Sequence, residues 1–453
     1  MEQHSNHFFS SKKYSILTYG CQMNERDSEV LEGYLENMGY CLAETEKEAD
    51  IIILNTCCVR EKAELKVFGK LGELSQLKKK KPDLIIGVCG CMTQQDDVYQ
   101  RIKDKAPYVN LIFGTYNVHQ LPRLIFDIEN TGKPAFEIWE KEGDIVENNV
   151  SRRVDKIKAY INISYGCNNF CTYCIVPHVR GRERSRTPEK IVEEVVNLVK
   201  EGYKEIMLLG QNVNSYGKDL KTKMDFADLL IEVNKIDGIE RIRYMTSHPR
   251  DFSDKLVETI PKCDKVCEHY HLPVQAGSNK VLKAMNRGYT REEYLELVKK
   301  ISQQTPNYSI TSDIIVGFPN ESEEDFLDTL DIVEKVRFDA SYTFAYSPRK
   351  GTPAAKMESQ ISDTEKKARL HRLMELQNKI SIQKNLELIG KDFEVLVESV
   401  SRTDSSRLTG RTRTNKVVNF TGDKTLIGKF INVKIIKAQT WNLIGEIIEV
   451  AAK

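Results

Sequence analysis

The feature that most constrains this chain is the run Cys167-Asn-Asn-Phe-Cys171-Thr-Tyr-Cys174, three thiols inside eight residues. Thiolates so close together can wrap one corner of a cubane cluster. Its four irons need four ligands, so three cysteines leave one iron open. The run follows an apolar stretch, Ala159–Ser164, that reads as a strand, which puts the thiols in the first loop after it. Zinc is the competing occupant, with His178 the nearest residue able to complete a tetrahedral set.

The cysteines elsewhere fit that reading better than a disulfide framework. There are 11 in 453 residues, an odd number in a long chain, and residues 1–13 are polar and lack the apolar stretch of an export signal. That segment reads as a disordered tail, and the whole as a cytoplasmic protein in a reducing compartment. Hydrophobic residues make up 40% and charged residues 29%, the profile of a globular protein of two to four domains. The longest apolar runs, such as Ile51–Leu54 and Leu84–Val88, are strand-sized and too short to span a membrane. A net charge of +1 does not announce a nucleic-acid partner, so such a role would rest on local patches.

The pattern divides the chain. Residues 14–126 alternate short apolar strands (Ser15–Tyr19, Ile51–Asn55, Leu84–Val88) with charged helices (Asp27–Met38, Glu61–Lys80), which implies a parallel-sheet α/β domain. Residues 127–157 gain Gly, Pro and charge and read as a linker. Residues 158–388 resume the alternation, with strands at Ala159–Ser164, Glu205–Leu209, Arg241–Met245, His269–Pro273, Ser309–Val316 and Ala340–Phe344. Six βα units suggest a partial (βα)6 barrel with its site at the carboxyl ends of the strands. Thr187 is placed to cap the helix after the cysteine loop, with Pro188 in its first turn. Residues 389–453 switch to period-two patterns, as expected of a small antiparallel β-barrel of the oligonucleotide-binding type.

A second set of thiols lies at matching places in the N-terminal sheet. Tyr19-Gly-Cys21, Asn55-Thr-Cys57-Cys58 and Val88-Cys89-Gly-Cys91 each end a strand, and parallel strands bring their carboxyl ends to one edge. Three thiolates there would again leave an iron open. Spacing does not choose Cys57 over Cys58, or Cys91 over Cys89. Cys41, Cys263 and Cys267 read as ordinary thiols.

The C-x3-C-x2-C run with Tyr173 between its last two cysteines resembles the radical S-adenosylmethionine (SAM) superfamily. That resemblance implies a [4Fe-4S] cluster on Cys167, Cys171 and Cys174 whose open iron chelates SAM. Further SAM contacts are expected at later strand ends: Gly210, Gln211 and Asn212 after the second, Gln275 and Ser278 after the fourth, and Asp313 on the fifth, with Tyr173 beside the cluster. With a three-cysteine α/β domain before it and a small barrel after it, the chain resembles the methylthiotransferases. There the second cluster's ligands match Cys21, Cys57 and Cys91, and the barrel is similar to the TRAM domain, an RNA-binding module.

Gly166-Cys-Asn-Asn-Phe-Cys-Thr-Tyr-Cys-Ile-Val-Pro177, Thr246-Ser-His-Pro-Arg-Asp-Phe252 and Gly410-Arg-Thr-Arg-Thr-Asn-Lys-Val-Val-Asn-Phe420 are close to the MiaB branch of that family. His178 is a departure, standing where that branch leads one to expect an aromatic or small residue. The branch implies methylthiolation at C2 of N6-isopentenyladenosine, position 37 of tRNA, using two SAM and two [4Fe-4S] clusters. It also implies a low-potential electron donor such as flavodoxin, and a monomer that reads the anticodon stem-loop. Candidate RNA contacts are Arg180 and Arg182 beside the cluster loop, and Arg411, Arg413 and Lys416 in the barrel. Rival readings are a methylthiotransferase for threonylcarbamoyl-adenosine or for a ribosomal-protein aspartate. A rival of another class is a non-catalytic iron–sulfur RNA-binding or redox-sensing protein.

Overall fold

The structure, a computed structural model, describes residues 12–450 apart from 59, 60, 142, 144, 148–150 and 154. The expected N-terminal tail therefore falls almost wholly outside the described residues, and Lys13 already opens the first strand. The chain packs as two units. The first comprises residues 1–154, Tyr165–Cys167 and Ile175–Arg184; the second comprises Asp155–Ser164, Asn168–Cys174 and Ser185–Lys453.

The first unit is built on a six-stranded parallel sheet in the order β2-β1-β3-β4-β5-β6. Its strands are β1 (Lys13–Thr18), β2 (Cys41–Leu42), β3 (Ile51–Thr56), β4 (Ile85–Gly90), β5 (Leu111–Phe113) and β6 (Ala135–Glu137). The two central strands, β3 and β4, are buried along their whole length, the signature of a sheet covered on both faces. Helices α1 (Gln22–Asn37) and α4 (Leu121–Thr131) cover one face through Leu31, Leu35, Leu124 and Ile128. Helices α2 (Glu61–Lys80) and α3 (Asp96–Lys105) cover the other through Val67, Leu71, Val98 and Ile102.

The linker expected over 127–157 is corrected at its start. Gly132, at φ 67°, is the left-handed C-cap of α4, its N–H donating to Ile128 O. The chain then pairs as β6 alongside β5, with Ala135 opposite Leu111. The Thr131-Gly-Lys-Pro run ends a helix rather than a domain. The Gly and Pro that suggest a linker are equally what a Schellman-type stop requires.

The second unit holds six parallel strands in two three-stranded sheets, β11-β10-β7 and β12-β13-β14. They are β7 (Lys158–Asn162), β10 (Glu205–Leu209), β11 (Arg241–Tyr244), β12 (His269–His271), β13 (Ser309–Val316) and β14 (Ala340–Ala345); the two-residue strands β8 (Ser164–Tyr165) and β9 (Arg184–Ser185), which come after β7 in chain order, each have one residue in either unit. A parallel bridge between Ile242 and Val266 joins the two sheets, giving the partial barrel. Helices α6 (Pro188–Lys200), α7 (Phe226–Asn234), α8 (Asp254–Thr259), α10 (Arg291–Gln304), α11 (Glu323–Val336) and α12 (Asp363–Leu386) follow the strands in turn, with the short α9 (Asn279–Ala284) in a loop; the short α5 (Val176–Arg180) belongs to the first unit.

Capping boxes start α7 at Asp225, α10 at Thr290 and α11 at Ser322, each satisfying two otherwise orphaned N–H groups. Thr187 does sit at the N-cap of α6, but its side chain makes no cap hydrogen bond.

Strands β15 (Asp392–Val400), β16 (Leu408–Thr412), β17 (Val417–Phe420), β18 (Phe430–Ala438) and β19 (Leu443–Val450) close into a barrel in the order β15-β16-β17-β19-β18. Two buried arginines of β11 seat this barrel on the parallel strands. Arg241 donates to Arg411 O at 2.8 Å and Glu394 O at 3.0 Å. Arg243 donates to Thr412 O at 2.8 Å and Arg413 O at 3.0 Å, and pairs with Glu205 at 2.9 Å.

Candidate functional site

Three neighbouring strands of the first unit, β1, β3 and β4, end within a residue or a few of Cys21, Cys57 and Cys91. Two glycines let those ends close up. A Cβ on Gly20 would lie 2.5 Å from Asn24 Oδ1 and 2.9 Å from Cys57 Cβ; one on Gly90, at φ 96°, would lie 2.4 Å from Thr56 O. The fully buried Asn24 braces the junction, donating to Asn55 Oδ1 and to Thr56 O at 3.1 Å each, while the Cys21 thiol donates to Asn24 Oδ1.

Cys57, Cys58 and Cys91 are buried and Cys21 is exposed. Arg180, itself buried, donates from Nε to Cys91 Sγ at 3.1 Å and pairs with Asp27 at 2.7 Å. The Cys91 thiol is held down to about 6, first by a hydrogen bond from Cys58 and then by the Arg180 charge. Cys58 is correspondingly pushed up. Cys89 lies instead in the core under α1 and α4, where burial raises its thiol. Among the described residues, no trio of Cys, His, Asp or Glu is drawn around a point that would hold one metal ion. His178, the proposed zinc partner, is exposed on α5. A cubane makes a different demand, since it distributes thiolates over separate irons. Buried thiols, of which Cys91 is both acidified and held by a guanidinium, suit such a group.

The loop with the other three cysteines is held as tightly. Gly166, at φ 74°, passes so close to Arg182 O that no side chain fits, and Cys167 N–H donates to Gly181 O. In the second unit, Cys174 N–H donates to Cys171 O, Thr172 N–H and Oγ1 donate to Met285 O and Ala284 O, and Asn286 Nδ2 donates to Phe170 O. Cys167 and Cys171 are buried and Cys174 is half-buried. Arg287 is 4% exposed and donates from Nη1 to Cys171 Sγ at 3.3 Å and to Tyr173 Oη at 3.4 Å.

The strand ends of the partial barrel carry polar atoms that are buried without a partner: Ser164 Oγ, Ser247 Oγ, His248 Nε2, Gln275 Oε1 and Tyr346 Oη. Orphans of this kind are rare in folded proteins and mark places where a ligand's polar groups belong. Gln275 is also held at φ 69°, an uncommon conformation for a residue with a side chain. Burial and the nearby Arg287 push the His248 imidazole down to about 2, so it is neutral.

Other expected contacts are differently used. Asn212 is spent within the unit, donating to Asp251 and accepting from His248 N–H. Ser278 donates to Asp325 at 2.6 Å. Asp313 lies 3.6 Å from His271 Nε2. Gly210 abuts Ser164 Oγ, leaving no room for a Cβ. The Thr246–Phe252 run carries no spacing signal that assigns its residues a role. Ser247 and His248 there, and Arg287, were missed because only the folded strand ends bring them to the site.

Most of the basic residues expected to touch RNA make contacts within the protein. Arg180 is buried against Cys91 and Asp27, where no phosphate reaches it. Arg413 forks onto Glu268, Lys416 pairs with Asp339 at 2.8 Å, and Arg411 lies 3.4 Å from Glu398. Arg413 and Lys416 stitch the small barrel to the parallel strands, whereas Glu398 lies on β15 and the Arg411 pair stays within the barrel; a count of Lys and Arg does not reveal the acids waiting on another domain. Arg182 is exposed, as are Arg402, Lys424, Lys429, Lys434 and Lys437 in the barrel.

A thiol loop on a parallel β/α partial barrel, preceded by a second thiol-bearing sheet, also matches known families. The model of the radical SAM superfamily matches residues 161–333, that of uncharacterized protein family UPF0004 matches 13–114, and that of the TRAM domain matches 387–448. The fold is similar to that of the radical S-adenosylmethionine methyltransferase TsrM from Kitasatospora setae, with a TM-score of 0.58 over 76% of this chain and 77% of that one at 14% identity. It is also similar to the cobalamin-dependent S-adenosylmethionine radical enzyme OxsB, with a TM-score of 0.54 over 82% of this chain and 56% of that one at 15% identity. Fold and thiol loop together define a radical SAM protein with an appended TRAM barrel.

Within that class the chain is 57% identical, over 98% of its length and 97% of the relative's, to the tRNA-2-methylthio-N(6)-dimethylallyladenosine synthase of Desulforamulus reducens. It is 58% identical to that of Alkaliphilus oremlandii over 97% and 93%, and 56% identical to that of Moorella thermoacetica over 97% and 99%. The chain belongs to the family of tRNA-2-methylthio-N(6)-dimethylallyladenosine synthases.

Proposed function

We propose that this protein is the enzyme its relatives are named for. It adds a methylthio group to C2 of N6-dimethylallyladenosine, equally called N6-isopentenyladenosine, at position 37 of tRNA. Near-full-length identity of 56–58% to such synthases carries the reading. Cys167, Cys171 and Cys174 would hold one [4Fe-4S] cluster, and Cys21, Cys57 and Cys91 a second. The aromatic C2–H has no acidity that a side-chain base can exploit. Bound there, the two clusters supply one electron to split SAM homolytically and a seat for the sulfur that is delivered, so that two SAM are used per product.

The chain's own residues shape the pocket around that chemistry. Asn286, Thr172 and the Met285 carbonyl fix the cysteine loop. Ser247, His248, Gln275 and Tyr346 offer buried polar atoms to the bound molecules. The neutral His248 accepts or donates one hydrogen bond without placing a second cation beside Arg287. Leu272, Val274, Ala276 and Val316, all fully buried, exclude water behind them. The exposed Arg402, Lys424, Lys429, Lys434 and Lys437 of the barrel are the cations left for RNA phosphates. The target base is taken from its stack in the anticodon loop, as chemistry on a base edge requires. A low-potential donor of the flavodoxin type supplies electrons, and the protein works as a cytoplasmic monomer.

The test is anaerobic incubation of the reconstituted protein with dithionite, SAM and isopentenylated tRNA, followed by mass spectrometry of the nucleosides. The 2-methylthio nucleoside is expected. Formation of 5′-deoxyadenosine with every tRNA nucleoside unchanged would sink the substrate; no 5′-deoxyadenosine would sink the class.

A further inference from the structure

A charge buried in a protein needs a counter-charge, because desolvating it alone costs several kcal/mol. Arg287 is a buried guanidinium, and among the described residues no carboxylate lies against it. Its donors go to three neutral oxygens, Pro273 O at 2.8 Å, Tyr289 Oη at 3.2 Å and Tyr173 Oη at 3.4 Å, and to Cys171 Sγ. Tyr289 is itself committed, donating to Val274 O at 2.8 Å, and the nearby His248 is neutral. The only group in that shell that becomes an anion when a cluster is held is Cys171.

The residues before Arg287 fasten it there. Ala284, Met285 and Asn286 all hydrogen bond to the Phe170–Thr172 backbone or to the Thr172 side chain. The guanidinium and the sulfur therefore move as one piece.

We infer that Arg287 is a positioning residue that keeps an uncompensated positive charge on the Cys171 sulfur and thereby raises the reduction potential of the cluster held by Cys167, Cys171 and Cys174. The inference rests on the ligand assignment proposed above. Net charge and hydrogen bonds to the sulfurs are among the determinants of a cluster's potential. Reduction adds one electron from the donor and breaks no bond. Arg287 keeps its proton in both states, so its charge favours the more negative, reduced one. A radical SAM site must be reducible by biological donors, and this residue eases that step from outside the cluster.

The experiment uses a background in which Cys21, Cys57 and Cys91 are all alanine, so that any signal belongs to the remaining cluster. After anaerobic reconstitution, iron content and the EPR-monitored midpoint potential are read for this background and for its Arg287→Met and Arg287→Lys versions, with thermal melting of the iron-free chains alongside. The background is expected to hold about four irons. Arg287→Met should lower the reduced-to-oxidised ratio at fixed potential about tenfold, which is about 59 mV more negative for one electron. Arg287→Lys, which keeps the charge, should stay within about threefold.

A Met variant that carries full iron at an unchanged midpoint overturns the inference. If the Met variant loses its iron, the Lys variant decides: iron retained at the original midpoint supports the charge, and a tenfold shift overturns it. A background that binds no iron refutes the ligand assignment, and this inference with it. A Met variant that melts earlier without a shift in midpoint assigns Arg287 a packing role alone.

Discussion

Each unit of the molecule presses one buried arginine against one cysteine sulfur, and the two arginines are compensated differently. Arg180 bonds Cys91 but also Asp27, whose carboxylate is 2.7 Å away. Arg287 bonds Cys171, and among the described residues no carboxylate lies beside it. The first pair is locally neutral before any cofactor arrives. The second carries a spare positive charge that only an anionic ligand sphere balances. The difference matches the proposed chemistry. The N-terminal site has to seat sulfur, for which a neutral surround is enough; the triad has to accept an electron, which a positive surround favours.

The largest effect that would break this comparison is loss of metal. The wild-type chain should hold about eight irons after reconstitution, and replacing either Cys167, Cys171 and Cys174 or Cys21, Cys57 and Cys91 by alanine should leave about four. The two variants should then part. The first makes no 5′-deoxyadenosine; the second still makes it but transfers no methylthio group. Cys58→Ala should keep all eight if Cys57 is the ligand. A drop in Cys58→Ala would move the ligand to the neighbour that hydrogen bonds Cys91.

A smaller effect sharpens the electrostatic contrast. Asp27→Asn keeps the shape and a hydrogen-bonding side chain but frees the Arg180 charge, making the first site resemble the second. With the triad cysteines replaced, the midpoint of the N-terminal cluster should rise, by about threefold to tenfold in the reduced-to-oxidised ratio at fixed potential. An unchanged midpoint would show that the carboxylate does not set the balance there.

How much of this was legible beforehand differs between the thiols and their partners. Strands Glu205–Leu209 and Ser309–Val316 and helix Glu61–Lys80 could be placed from pattern to the residue, because apolar period and capping residues are local. The short strands β2, β5 and β6 could not, since two or three residues carry no period and their pairing is decided by neighbours far along the chain. The nine Lys and Arg residues of 402–437 looked like an RNA surface. Two of them turn to Glu268 and Asp339 outside the barrel, and no reading of the barrel alone would show it.

The smallest effect concerns pH. His248 near Arg287 is neutral in the fold, pushed down to about 2 chiefly by burial. An unfolded histidine titrates near 6.5, so as pH falls below that value the unfolded chain takes up a proton that the folded one refuses. Stability is therefore fully present above about 6.5 and lost progressively below it. Between pH 7 and pH 5 the loss should reach about 2 kcal/mol in urea unfolding of the iron-free chain, and His248→Gln should abolish that part. A His248→Gln chain as acid-sensitive as the parent would place the proton uptake elsewhere.

By itself the sequence determined the two groups of thiols, the alternation that builds a parallel sheet and a partial barrel, and the small closing barrel. Each of these is written in spacings of a few residues. Only the tertiary structure decided which charges stand beside which sulfurs, that Cys89 belongs to the core, and that Arg413 and Lys416 hold domains together. Those outcomes depend on burial, and burial is settled by segments a hundred or more residues apart meeting where water is excluded, which no local pattern encodes.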